Sequence, residues 1–187
     1  MCIRDRQDSG TRANSSAGLM ADCMRACAEN GVAFVLLDRP DPLGGTEADG
    51  PVEETGGYPI PTRYGMTLGE LALMLKGEFE REALENLDLT VVPMEGWSRD
   101  MYYDETGLQY VMADRKIPTA KTALTYAALG WLEGTGQWTD SAADQKGVSS
   151  GWGTTKTYEF FGAPFIQPRM VEDVYKRQAK FSRYGRV

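Results

Sequence analysis

The sequence predicts an α/β fold, because helix and strand patterns alternate along the chain. An apolar run at residues 32–37 directly follows a segment with apolar residues at helical spacing. A second helical segment at residues 67–77 precedes a second strand pattern at residues 87–94. Alternation of this kind is typical of a parallel sheet whose strands are joined by helices.

The first helix is predicted from the serine pair at residues 15 and 16 to about Asn30. Either serine can cap its N-terminus, and Asn30-Gly31 is a typical stop, because glycine readily takes the left-handed conformation. We expect four residues at helical spacing to form the buried face of this helix: Leu19, Cys23, Ala26 and Cys27.

Thr67 begins the most clearly marked helix. Thr67-Leu68-Gly69-Glu70 has the form of a capping box, in which the threonine hydroxyl and the glutamate carboxylate each satisfy a backbone N–H. Gly77 is the predicted end. The predicted buried face consists of Leu68, Leu71, Ala72 and Leu75.

The remaining segments are predicted as follows. A third helix extends from Thr119 to about Gly134, and its expected buried stripe is Leu124, Ala127, Ala128 and Trp131. Residues 40–61 are rich in glycine and proline, and residues 136–150 are polar, so both are predicted loops. Residues 151–165 are predicted as turn and strand, with four aromatic side chains available for packing: Tyr158, Phe160, Phe161 and Phe165.

Composition excludes several classes of function. The formal charge of −7 argues against a general nucleic-acid-binding protein, which needs a basic face for phosphates. Histidine is absent, which removes Ser-His-Asp catalysis, Cys-His catalysis and histidine-ligated zinc. Cys23 and Cys27 lie four residues apart with no further sulfur to complete a metal site, so we expect them to pack. No apolar stretch is long enough to span a membrane.

Polar residues at predicted strand ends are the candidates for a functional site. Asp38 and Arg39 directly follow the first strand, and ligands of open α/β sheets collect at the carboxyl ends of strands. The alternative is that they pair with each other or with neighbouring chain. The capping box explains Glu70 without any ligand. Glu133 lies at the end of the third helix, where the helix dipole disfavours an anion, so lining a cleft is an alternative role for it.

Eight short blocks follow one another along the chain. They are Gln7-Asp8-Ser9-Gly10-Thr11-Arg12, Leu37-Asp38-Arg39-Pro40-Asp41-Pro42-Leu43-Gly44-Gly45, Tyr58-Pro59-Ile60-Pro61, Gly65-Met66-Thr67-Leu68-Gly69-Glu70-Leu71-Ala72, Gly96-Trp97-Ser98-Arg99, Glu133-Gly134-Thr135, Gly153-Thr154-Thr155 and Gly162-Ala163-Pro164. Their order and spacing resemble the NamZ family of exo-β-N-acetylmuramidases, over about residues 7–164.

The resemblance implies a Rossmann-like fold with a partial parallel sheet, a smaller C-terminal α+β part, and an active site in the cleft between them. Residues 7–112 are then expected to form the C-terminal part of the Rossmann-like domain with its cleft loops, and residues 113–170 to begin the smaller domain. Residues 1–6 and 173–178 resemble translated library-adapter sequence, so we expect residues 1–6 and 171–187 to be non-native or disordered ends.

The resemblance also implies a glycoside hydrolase that releases N-acetylmuramic acid from the non-reducing end of peptidoglycan fragments. The family's catalytic glutamate belongs to a Pro-Glu-His-Gly motif that this chain does not contain, so no residue is assigned as catalytic. The chain is therefore expected to be a fragment of such an enzyme, and a non-catalytic glycan-binding protein of the same fold is the alternative. A nucleotide-dependent enzyme is a weaker third candidate, because no dinucleotide fingerprint or phosphate-binding loop is present.

We expect the cleft to bind a small saccharide or muropeptide without a metal or organic cofactor. The expected binding residues are Asp38, Arg39, Tyr64, Glu70, Arg99 and Glu133. Arg99 can bind the lactyl carboxylate of muramic acid through two parallel hydrogen bonds, or lie over the Trp97 ring at the surface. Tyr64 stands where the family usually has histidine, and Asp41 where it usually has asparagine. A bacterial, periplasmic or secreted location would follow if a leader was lost.

Overall fold

The computed structural model describes residues 7–14, 16–52, 58–130, 147–167 and 169. Internal contacts divide the chain into two compact units, Met1–Trp131 and Leu132–Val187. The predicted domain boundary between residues 112 and 113 stays a prediction.

The first unit contains the regular elements. In chain order they are α1 (Ser16–Asn30), β1 (Phe34–Leu37), β2 (Asp49–Val52), β3 (Pro61–Arg63), α2 (Leu68–Met74), β4 (Leu89–Val92) and α3 (Ala120–Leu129). A π-helical turn over Leu75–Phe79 continues α2, and a 3₁₀ turn over Tyr103–Thr106 follows β4.

The strands form two small sheets. β1 and β4 pair in parallel, with Phe34 opposite Leu89 and Leu37 opposite Val92. β2 and β3 form an antiparallel pair with an irregular register. A parallel pair separated along the chain by α2 confirms the predicted α/β class.

The core lies where α1 and α2 share one apolar cluster with the inner side chains of the parallel sheet. Leu71, Ala72 and Leu75 are fully buried, as the periodicity of α2 predicts. The face predicted for α1 is wrong in part, although Cys27 does pack against the core. Leu19 is 39% exposed and Ala26 is exposed, and the helix instead buries Ala17, Met20, Ala21 and Met24. Met20 and Met24 were not part of the predicted face. Methionine side chains are flexible enough to fill irregular core space.

The buried stripe predicted for α3 is also wrong. Thr122, Ala123 and Tyr126 are buried, whereas Leu124 is 50% exposed. Thr122 can be buried because its hydroxyl pairs with that of the capping residue Thr119 at 2.9 Å. The predicted stripe residues Leu124, Ala127 and Ala128 line an open groove of about 290 Å³ between α3 and the β2–β3 hairpin. Trp131, the fourth of them, lies outside the described residues.

The β2–β3 hairpin corrects the prediction that residues 40–61 form a loop. β2 has the sequence Asp-Gly-Pro-Val, and all four of its residues are exposed. A strand without a buried face carries no alternation of apolar and polar residues, so its sequence gives no strand signal.

In the second unit, the described residues 147–167 form turns closed by one antiparallel bridge. Ser149 and Gly162 exchange backbone hydrogen bonds of 2.8 and 3.1 Å. Tyr158 is buried, whereas Phe160, Phe161 and Phe165 are about half exposed. The predicted strand is thus reduced to a bridge, and most of the predicted loop over residues 136–150 lies outside the described residues.

Candidate functional site

Asp38 joins the carboxyl end of the parallel sheet to the start of α2. Its backbone N–H donates to the carbonyl of Val92 at 3.0 Å, which extends the β1–β4 ladder by one residue. Its carboxylate accepts the Gly69 N–H at 2.9 Å and the Thr67 hydroxyl at 2.6 Å. Asp38 therefore holds the first turn of α2 against the end of β1.

Glu70 forms the reciprocal half of the capping box at the start of α2. Its carboxylate accepts the Thr67 N–H at 3.0 Å, and its own N–H donates to the Thr67 hydroxyl at 3.2 Å. The predicted capping box is thus confirmed. The second carboxylate oxygen of Glu70 forms an ion pair with Arg99.

Arg99 connects three segments at this edge of the sheet. Besides Glu70, its guanidinium donates to the carbonyl of Gly45 at 3.0 Å and to the carbonyl of Gly65 at 3.0 Å. The side chain of Arg99 is 49% exposed. The structure therefore brings Asp38, Glu70 and Arg99, all named from the sequence, into one hydrogen-bonded group joined through Thr67.

Arg39 and Tyr64 lie beside this group in different settings. Arg39 is half-buried. Burial raises the pKa of Tyr103, and the charge of Arg39 offsets part of that rise. Tyr64 is 3% exposed, and its hydroxyl donates to Asp8. Burial and the nearby carboxylates hold the pKa of Tyr64 well above its usual value, so the phenol is neutral. Contact of either residue with a saccharide stays a prediction.

Asp8 and Asp41 are buried near Tyr64. Burial raises the pKa of both carboxyl groups, to about 8 for Asp41. Asp41 was not among the binding residues expected from the sequence. The sequence does carry a local signal for each, since Asp8 accepts from Gly10 and Asp41 from Leu43, both two residues ahead in an Asx turn. No local pattern shows that the two turns meet.

Glu133, the sixth expected binding residue, lies outside the described residues. Within the described ranges, no group of three potential metal ligands is present. None of the helices described has the length and apolar character needed to cross a bilayer.

The fold and the group of Asp38, Glu70 and Arg99 define an α/β protein with a polar site at the carboxyl end of its parallel strands. The family described as exo-β-N-acetylmuramidase NamZ, N-terminal, matches residues 1–121, and the chain belongs to this family. A Bacillus subtilis protein named peptidoglycan β-N-acetylmuramidase NamZ is 42% identical over an alignment of 175 residues, and the match covers 90% of this chain. The match covers 39% of that relative's length.

Two crystal structures of DUF1343 family proteins from Bacteroides fragilis are similar to this one. The first has a TM-score of 0.80 and 36% identity, and the match covers 94% of this chain and 44% of that chain. The second has a TM-score of 0.69 and 33% identity, with 87% and 43% covered. The chain thus spans less than half the length of these relatives.

Proposed function

We propose that the chain forms part of a glycoside hydrolase that releases N-acetylmuramic acid from the ends of peptidoglycan-derived saccharides. Membership in the NamZ family supports this activity, as does the name of the Bacillus subtilis relative. The strand-end group of Asp38, Glu70 and Arg99 would bind the terminal sugar.

This proposal depends on the N–H donors that remain available on the Arg99 side chain. A guanidinium has five N–H donors. Contacts within the described part of the chain engage three of them, through Nε, one N–H of Nη1 and one of Nη2. The other N–H of each terminal nitrogen can serve the lactyl carboxylate that distinguishes muramic acid from glucosamine, since arginine binds carboxylates in this bidentate way.

A second candidate is a glycan-binding protein without catalytic activity. Glycoside hydrolysis generally needs two carboxyl groups, one of them able to donate a proton to the leaving oxygen. Among the described residues at this edge, Asp38 and Glu70 are engaged in capping α2, and Asp8 and Asp41 are buried. These engagements favour binding over hydrolysis by this part of the chain, and the catalytic acid stays unassigned.

Binding is tested by titration calorimetry of the chain with two disaccharides. One carries N-acetylmuramic acid at its non-reducing end, and the other carries N-acetylglucosamine there and lacks the lactyl group. We expect binding of the first to be about tenfold tighter, a difference of about 1.4 kcal/mol. Arg99→Lys should remove most of this preference, while the matched change Arg115→Lys on the exposed surface should leave it. Equal affinities for the two sugars would contradict the role of Arg99.

Hydrolysis is tested in a chimaera in which this chain replaces the matched segment of the Bacillus subtilis relative. Release of the muramoyl sugar from a chromogenic muramide supports the enzyme. Binding by the chain without release by a folded chimaera supports the glycan-binding protein. Absence of both binding and release would overturn both candidates.

A further inference from the structure

Two carboxyl side chains are buried around one glycine. Asp8 is 4% exposed and Asp41 is 1% exposed. Asp8 accepts the Gly10 N–H at 3.1 Å, and Asp41 Oδ1 lies only 2.2 Å from where a β-carbon on Gly10 would stand. Both carboxyl groups therefore pack against Gly10, which links residues 7–10 to the loop at residues 41–45.

Three buried acceptor atoms in this cluster have no hydrogen-bond partner. Asp8 Oδ2 accepts from Gly10 and from the Tyr64 hydroxyl, and Asp41 Oδ1 accepts from Leu43 at 2.8 Å. Asp8 Oδ1, Asp41 Oδ2 and Gln7 Oε1 are buried without a hydrogen-bond partner. An ionised carboxylate can only accept, whereas a protonated one also donates. A proton on one carboxyl group would turn an unpartnered acceptor into a donor.

The surrounding charges do not compensate for two buried anions. Arg63 of β3 favours ionisation of Asp41, but its guanidinium also pairs with Glu47 and with the Leu43 carbonyl. Glu70 of α2 opposes ionisation of Asp41, and Asp8 opposes it as well.

The groups acting on Asp8 are mainly neutral. The phenols of Tyr64 and Tyr110 interact with Asp8. Arg12 is a charged residue of the same chain segment as Asp8. Two like charges in one buried site cannot both form at low cost. Asp8 accepts hydrogen bonds from the Tyr64 hydroxyl and from the backbone of Gly10 and Ser9, whereas Asp41 accepts from Leu43, so Asp8 is the better stabilised anion.

We propose that the Asp8–Asp41 pair retains one proton at neutral pH, carried by Asp41, and that this proton fastens residues 41–45 to residues 7–10. The fastened loop ends at Gly45, whose N–H donates to the Arg99 carbonyl at 2.6 Å and whose carbonyl accepts from the Arg99 side chain. The pair is thus a pH-sensitive support beneath the strand-end group. It does not depend on which ligand that group binds.

Asp41→Asn tests the proposal, because an amide has the shape of the protonated acid. Its oxygen can still accept from Leu43, and its NH₂ replaces the proposed proton with permanent donors. In the unaltered protein the unfolding free energy should decrease between about pH 5 and about pH 7.5. In Asp41→Asn this decrease should be less steep, by the equivalent of one proton. Asp88→Asn, which removes an exposed carboxylate, should leave that slope unchanged.

Infrared spectroscopy gives a readout that stability alone does not. The unaltered protein should show the carbonyl band of a protonated carboxyl group at neutral pH. Asp41→Asn should lose this band, and Asp88→Asn should keep it. An unchanged slope in Asp41→Asn, or a band that persists in that variant, would overturn the proposal. If Asp41→Asn does not fold, absence of the band from the unaltered protein overturns it.

Discussion

At the scale of single residues, Arg99 combines a structural role with the proposed binding role. It bonds to two backbone carbonyls and to Glu70, so Arg99→Ala removes three contacts at once. Because the side chain is half exposed, solvent screening reduces their contribution. We expect a loss of about 1–2 kcal/mol in the unfolding free energy, measured by urea denaturation.

Arg115→Ala is the control for this prediction. Arg115 is exposed in a turn, and a change there should alter stability by less than about 0.5 kcal/mol. An Arg99→Ala protein that unfolds at the same urea concentration as Arg115→Ala would show that the three contacts contribute nothing to stability.

Residue-level reasoning predicted the candidate site in part. Asp38 was named from its place after the first strand and Glu70 from the capping-box pattern, and the structure brings both to the first turn of α2. The contact of Tyr64 with Asp8 joins residues 56 positions apart, and no local pattern encodes it. The role of Asp41 was missed for the same reason.

At the scale of elements, α2 is positioned by the absence of a side chain at Gly69. A β-carbon there would stand 2.7 Å from the Asp38 carboxyl group and 2.7 Å from Val91 Cγ1. Gly69→Ala should push Asp38 away from the first turn of α2. The expected loss of unfolding free energy is about 1–3 kcal/mol, by urea or thermal denaturation.

Gly77 provides the matched control in the π-helical turn that continues α2. A β-carbon at Gly77 meets no atom within 4 Å. Gly77→Ala should therefore be neutral or stabilise by up to about 1 kcal/mol, since alanine restricts the unfolded chain more than glycine does. If both alanine variants have the same stability, close packing at Gly69 is not what positions α2.

Elements with a buried face were predicted well, and those without one were not. The helices α1, α2 and α3 and the strands β1 and β4 all lie within their predicted ranges, since each carries a cap or an apolar pattern. The face of α3 was misassigned, and that of α1 in part, because methionine, tyrosine and a threonine hydrogen-bonded to the N-cap residue are buried where other residues were expected. β2 and β3 were missed because pairing between them, rather than burial, defines the hairpin.

At the scale of the whole molecule, burial of acids sets the sign of the pH dependence. Burial raises the pKa of Asp41 from 3.8 to about 8, and raises that of Asp8 as well. With its raised pKa, Asp41 holds a proton in the folded protein that the unfolded chain releases at the same pH. The stability that Asp41 contributes is fully present below the unfolded pKa of 3.8 and is lost as the pH rises through the folded value of about 8.

The folded protein should therefore release protons when it unfolds near neutral pH. Each proton released corresponds to a fall of about 1.4 kcal/mol in unfolding free energy per pH unit. Scanning calorimetry at one pH in Tris and in phosphate measures this release directly, because Tris takes up protons with far more heat than phosphate does. The apparent unfolding enthalpy should be smaller in Tris. Equal enthalpies in the two buffers would mean that folding binds no net proton, and the buried carboxyl groups would then have to be ionised in the native state.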